Sequence, residues 1–213
     1  ESVNYADDIR EFELVFVNRE GEDQNEEIII PKTLLVGAGT SAESRTLTDD
    51  DMPFNVEIVR FMQNSTPVER QQLQIEIAST LGVPPFQINT ADNLANLTSD
   101  ASKVEQVYTD LEETIGGPLP AEVRKKLVSI NDVLDYVFEE WNPATTGPGE
   151  TMIVSEVRPG AGTDSGGAVD LTAAYVRVTD KETGKELGTF LTGVFFELVK
   201  RSSWTPNRVE VAG

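Results

Sequence analysis

The chain has 213 residues, 38% of them hydrophobic, and carries 17 Lys plus Arg against 37 Asp plus Glu, a net charge of −20. It contains no Cys and no His, which removes disulfides, thiolate chemistry, Ser-His-Asp triads, zinc sites with the usual ligands and haem attachment through Cys-x-x-Cys-His. The acidic balance repels phosphate backbones and anionic lipid surfaces, so nucleic acid is not an expected partner.

The first third reads as strands. In "EFELVFV" (residues 11–17), period-two alternation places Phe12, Leu14 and Phe16 on one face. A polar turn over residues 19–26 leads into "EIIIP" (27–31) and "TLLV" (33–36), both expected as strands. "MPFNVEIVRF" (52–61) sets Phe54, Val56 and Ile58 against Asn55 and Glu57, and its β-branched and aromatic content favours strand.

The period then changes. Thr66-Pro67-Val68-Glu69 predicts a capping box, with Thr66 accepting from the Glu69 amide and Pro67 at the first helical position. That helix is expected to reach about Leu81 and stop at Gly82. A second carries Val104, Val107, Tyr108, Leu111 and Ile115 and stops at Gly116. In the third, Val123, Leu127, Ile130, Leu134, Val137 and Trp141 form one continuous stripe, opened by Pro120 and closed by Asn142-Pro143. Trp141 is expected in the core ahead of a role as a binding anchor.

Strands return in "TMIVSEV" (151–157), "AAYVRVT" (173–179), "LGTFLTGVFFELV" (187–199) and "RVEVA" (208–212). Gly184 can take the positive φ of a hairpin turn between the second and third of these. The apolar run 190–199 is interrupted by Thr192, Gly193 and Glu197. It is too short to cross a membrane, which takes about twenty apolar residues, and is expected as a central strand buried on both faces. "RPGAGTDSGGAVD" (158–170) is a low-complexity loop. The expected fold is α+β: one domain over 1–213, antiparallel and β-rich (sandwich or open barrel), interrupted by about three helices at about residues 65–143.

No segment carries a specific chemical signature. "GAGTDSGG" (160–167) lacks the Lys-Ser/Thr ending of a phosphate loop, and a strand follows it. "TDDDMPF" (48–54) and "NTADNL" (89–94) offer carboxylates to calcium without EF-hand spacing. With 37 acids any carboxylate pair can be nominated for hydrolysis. Asn64-Ser65-Thr66 and Asn96-Leu97-Thr98 fit a glycosylation pattern short enough to arise by chance. Met52, Met62 and Met152 are expected in core packing. No catalytic, cofactor-binding or metal-ligating residue is therefore assigned.

Four segments in order, "ESVNYADDIREFELVFVN", "IIIPKTLL", "MPFNVEIVRFMQNSTP" and "AAYVRVTDKETGKELGTFLTGVFFE", resemble the extracytoplasmic region of ResB-like cytochrome c biogenesis proteins. In that family a Gly-Thr-Trp-Leu-like element follows a short hairpin; here the element is Gly188-Thr189-Phe190-Leu191, with Phe in place of Trp. All four segments lie outside the helical block. The resemblance implies a membrane-anchored parent with transmembrane segments flanking an extracytoplasmic piece. It also implies a membrane partner protein with which haem and reduced apocytochrome are delivered for covalent attachment. The family's haem chemistry is tied to His or Cys, so no functional residue carries over and no cofactor is assigned.

The expected function is thus a non-enzymatic scaffold or docking surface in cytochrome c maturation. The alternatives are a secreted or surface β-sandwich module binding protein or glycan, and a carboxylate-dependent hydrolase. Glu1 follows neither Met nor a leader and "VEVAG" ends the chain, so a processed or excised piece of a longer β-structure is expected.

Overall fold

Two kinds of periodicity in one chain produce two units in the computed structural model, which describes residues 13–18, 26–36, 45–50, 52–158 and 170–193. One unit is drawn from both ends of the chain, and the other is Asn64–Arg158. The strands are β1 (Glu13–Asn18), β2 (Glu26–Pro31), β3 (Arg45–Leu47), β4 (Phe54–Met62), β5 (Ser65–Glu69), β6 (Met152–Glu156), β7 (Ala173–Asp180) and β8 (Glu186–Gly193). The α-helices are α1 (Lys32–Leu35), α2 (Arg70–Leu81), α3 (Leu94–Leu97), α4 (Ala101–Ile115), α5 (Ala121–Arg124) and α6 (Ile130–Asp135). The fold is α+β, and every strand pairing among the described residues is antiparallel.

In the first unit β1 and β2 form a hairpin in which Leu14 faces Ile30 and Phe16 faces Ile28. These side chains pack on Val56, Ile58, Val176 and Val178 of a four-stranded sheet ordered β3-β4-β7-β8. Two antiparallel layers thus share one core, and the Phe16 and Phe54 rings meet with centroids 5.2 Å apart. Phe12, the turn after β1, the loop over 159–169 and "RVEVA" lie outside the described residues.

Two expectations change within this unit, and β4 carries a bulge beyond the residues whose alternation is read from the sequence. Residues 33–36 are not a strand: α1 follows Pro31, and the Val36 amide donates to the Lys32 carbonyl at 2.8 Å. A strand would send Leu34 and Leu35 to opposite faces. The helical turn instead packs both into the core. In β4, Ile58 opposes Val176 but Arg60 opposes Tyr175, leaving Val59 as a bulge residue. The inward set is therefore Val56, Ile58 and Phe61, a step of two and then of three. Finally, β8 is last in its sheet order among the described residues, and the central strands are β4 and β7. Residues 194–199 of the expected central strand lie outside the described residues.

The second unit buries a core running from Val68 to Ile153. Its helices stop where glycine permits a left-handed residue. Gly82 (φ 75°) donates to the Ser79 carbonyl after α2, and Gly116 (φ 73°) donates to Glu113 after α4. Its borders, Asn64 and Arg158, lie outside the span of about 65–143 read from helical periodicity, because a strand pair belongs to it. The segment 151–157, expected with the flanking sheet, supplies β6, which pairs with β5.

That pairing also overturns the expected capping box. Thr66 opposes Ser155 and Glu69 opposes Met152 in an extended ladder, and α2 begins at Arg70 with no side-chain cap. The extended pairing leaves Val68 buried in the second core.

The expected third helix is broken as well. After α5 the chain leaves helical geometry, and the Leu94 amide donates to the Val128 carbonyl at 2.9 Å. Ser129 then restarts the helix with a reciprocal capping box to Asp132. α6 continues as a π-helical segment over Tyr136–Trp141. Leu127, Ile130, Leu134 and Val137 are nevertheless all buried, and Trp141 packs partly buried against the same core.

Candidate functional site

The part of the fold with most local specification is the β7–β8 hairpin. At its turn Asp180 accepts from the Thr183 amide and hydroxyl, each at 2.6 Å, while its carbonyl accepts from Gly184 at 3.0 Å. Gly184 sits at φ 69°, in the left-handed region. Hydrogen bonds from the Thr183 hydroxyl and then its amide hold the Asp180 carboxyl below the ordinary carboxylate value. Lys181 anchors the turn to the β3–β4 connection, its ammonium donating to the Asp49 carbonyl at 2.8 Å and its amide to Pro53 at 3.0 Å.

Beyond the turn, Thr179 opposes Glu186 but Val178 opposes Gly188, so Leu187 is an extra residue on β8. Gly188 follows the bulge at φ 147° and is buried. The bulge lets Leu187 and Phe190 both pack on the unit's core while Thr189, 1% exposed, lies inside the sheet. The Gly188-Thr189-Phe190-Leu191 element thus has a backbone meaning: glycine makes the bulge, and the three following residues are placed by it.

Thr189 donates to Glu186 at 3.2 Å. Arg177, on the middle strand, donates to Glu57 at 2.8 Å and lies 3.6 Å from Glu186. The result is a three-strand polar cluster, two carboxylates about one guanidinium, on the side of β4 opposite Val56 and Ile58. Among the described residues the Asn55 side-chain oxygen and the Arg177 Nε are buried without a hydrogen-bond partner. Such an arrangement presents a polar face in which Glu57 is hydrogen-bonded to Arg177, while Glu186 is paired with it only at 3.6 Å.

The other candidates are spread through the structure. In the segment 48–54, Asp49 is committed through its carbonyl to the Met52 amide and to Lys181. In the segment 89–94, Asn89 accepts from the Ala91 amide, Asp92 from the Asn89 amide and Asn93 from the Ala95 amide. These oxygens build turns and a helix start. No group of three or more metal-ligating side chains occurs among the described residues.

Asn64 donates to the Arg158 carbonyl and Ser65 is buried, whereas Asn96 is exposed on α3. Met52 and Met62 are buried and Met152 is half-buried. Tyr175 is fully buried, and Tyr108 donates to the Leu127 carbonyl at 2.8 Å. Burial raises the Tyr108 phenol above its usual value, against the opposing pull of the Arg124 guanidinium 4.7 Å above its ring.

A shallow groove between α2 and α4 carries Glu76 and Asp110 on its rim. Asp110 accepts from Thr80 at 3.0 Å and Gln106 at 2.7 Å, and Glu76 accepts from Gln72 at 3.0 Å. Both carboxylates serve the helix pair. The polar cluster on β4, β7 and β8 escaped the sequence because it depends on register. The bulge left a signal, a glycine inside an apolar strand run. The phosphate-loop-like segment 160–167 lies outside the described residues.

No family model, curated protein or solved structure matches the chain.

Proposed function

We propose that this chain is a non-enzymatic, extracytoplasmic domain of a ResB-like membrane protein, serving as scaffold or docking surface in cytochrome c maturation with a membrane partner protein. One observation carries the reading. Apart from residues 64–67, which begin the other unit, the four separated segments that hold the resemblance supply, within the described residues, β1, β2 with α1, β4 and the β7–β8 hairpin, and these build a single unit around one core. Segments far apart in sequence that share a family pattern should meet in space if the pattern encodes a fold. The Gly188 bulge gives the most specific of them a structural cause. The engagement of Glu57 and Glu186 by Arg177, and of Glu76 and Asp110 by side-chain donors, favours a surface over a catalytic centre.

The test uses cells that carry the parent gene. Covalently bound haem is stained in membrane fractions from wild type and from a Gly188→Ala or Arg177→Ala parent. Loss of haem-stained cytochrome c, with the parent protein still present in membranes, supports the proposal. Unchanged cytochrome c in cells deleted for the parent gene defeats it.

A further inference from the structure

We infer that Asn64–Arg158 is an autonomous folding module inserted into the other unit, so that each unit opens without the other. Both sides of the insertion point are closed within their own unit. On the module's side β5 and β6 pair from Ser65 opposite Glu156 to Glu69 opposite Met152. The Val157 amide donates to the Asn64 carbonyl at 3.0 Å, and the Asn64 side chain to the Arg158 carbonyl at 3.2 Å. On the host's side Met62 opposes Ala173, and the Thr172 hydroxyl donates to the Gln63 carbonyl at 3.0 Å. The host strands therefore meet as neighbours whether the chain between them is short or long, since closing a longer loop costs little extra.

The module also meets the requirements of independent stability. Its core runs from Val68 on β5 through all the long helices to Ile153 on β6. Its length, 158 − 64 + 1 = 95 residues, is above the size at which single cores need disulfides or metals. Several of its helix ends are closed internally, although α2 and α5 start without a side-chain cap. Asn93, Asp100 and Ser129 cap the starts of α3, α4 and α6, and Gly82 and Gly116 close α2 and α4. The host core is built separately from β1, β2, α1, β4 and β7. Two cores, each closed at the neck, are the physical basis for separate cooperative units. A module joined in this way can open, or be exchanged, while the host hairpin keeps its register. This inference does not rest on the functional reading above, because it concerns only which parts unfold together.

Native-state hydrogen exchange on the whole chain tests it, with Leu134→Ala perturbing the module and Val178→Ala the host. Both side chains are buried. Leu134→Ala should speed the slowest amides of α2, α4 and α6 by about thirty-fold or more while those of β4 and β7 change less than about three-fold. Val178→Ala should give the reverse pattern. If Leu134→Ala does not fold, Ser129→Ala is the milder substitution, with about five-fold expected in the module alone. Equal acceleration in both units, from either side, would show one cooperative domain and overturn the inference.

Discussion

Replacing Gly188 is the sharpest test of the β8 geometry. Its φ of 147° lies in a region that L residues rarely enter, at a cost of about 1–3 kcal/mol. The residue is buried, so a new methyl group must also find space, and any clash adds to that figure. Gly184 is the control on the same hairpin: exposed, at φ 69°, with no atom within 4 Å of an added Cβ. Asn tolerates the left-handed region near that φ but not the region near 147°. Gly184→Asn should therefore stay within about 0.5 kcal/mol of wild type, whereas Gly188→Asn and Gly188→Ala should each lose about 1–3 kcal/mol. Urea unfolding followed by circular dichroism measures all three. If Gly188→Asn proves as stable as Gly184→Asn, Leu187 is not a bulge residue and the register of the whole hairpin is wrong.

Leu127→Ala and Leu134→Ala should each cost about 2–5 kcal/mol, since both side chains are buried in the second core; losses below about 0.5 kcal/mol at both would show the stripe to be exposed. Asp100, Asp132 and Asp180 all have folded pKa values below 3.8. Their contribution is thus complete above that value and lost as pH falls through the lower folded values. The urea midpoint should accordingly fall as pH drops below about 4, and less steeply in Asp132→Asn; an identical acid limb in that variant would contradict the cap geometry. Titrating the protein with haem should give no saturable Soret shift, because the usual His and Cys ligands are absent, Met52, Met62 and Tyr175 are buried, Met152 is half-buried, and Tyr108 is bonded to the Leu127 carbonyl. A sharp shift abolished by replacing one Met or Tyr would make the chain a haem carrier.

Elements governed by their own local pattern were legible in the sequence, and those governed by distant partners were not. Alternation in residues 52–58 correctly set Val56 and Ile58 inward, and Gly184 marked the β7–β8 turn. Gly82 and Gly116 marked two helix ends. The bulge at Val59 carries no glycine or proline and is fixed by pairing with β7. Thr66-Pro67-Val68-Glu69 has the composition of a helix start, but pairing with β6, far along the chain, holds it extended. Pro67 is compatible with that role because a strand at a sheet edge can spare one amide. The stripe from Val123 to Trp141 identified buried side chains correctly and their backbone incorrectly. A chain that breaks and restarts can keep the same residues facing the same core. The break had its own signature, Ser129-Ile130-Asn131-Asp132, which the longer periodicity masked.

The electrostatics bear on what such an acidic chain uses its carboxylates for. A general acid working near neutral pH needs its pKa raised, through burial or a like-charged neighbour. Among the described residues, the three carboxylates with displaced values are displaced the other way, and each sits at a turn or helix start. For Asp132, desolvation pushes upward but is outweighed by the Ser129 amide, the Ser129 hydroxyl and the Val128 amide. For Asp100, the Ser102 hydroxyl and amide dominate, with Lys103 adding to them. Asp180 is held by Thr183. Lowered values of this kind fix backbone conformation and keep the charge on at neutral pH. These three groups therefore act in holding turns and helix starts, through the Ser102, Ser129 and Thr183 amides.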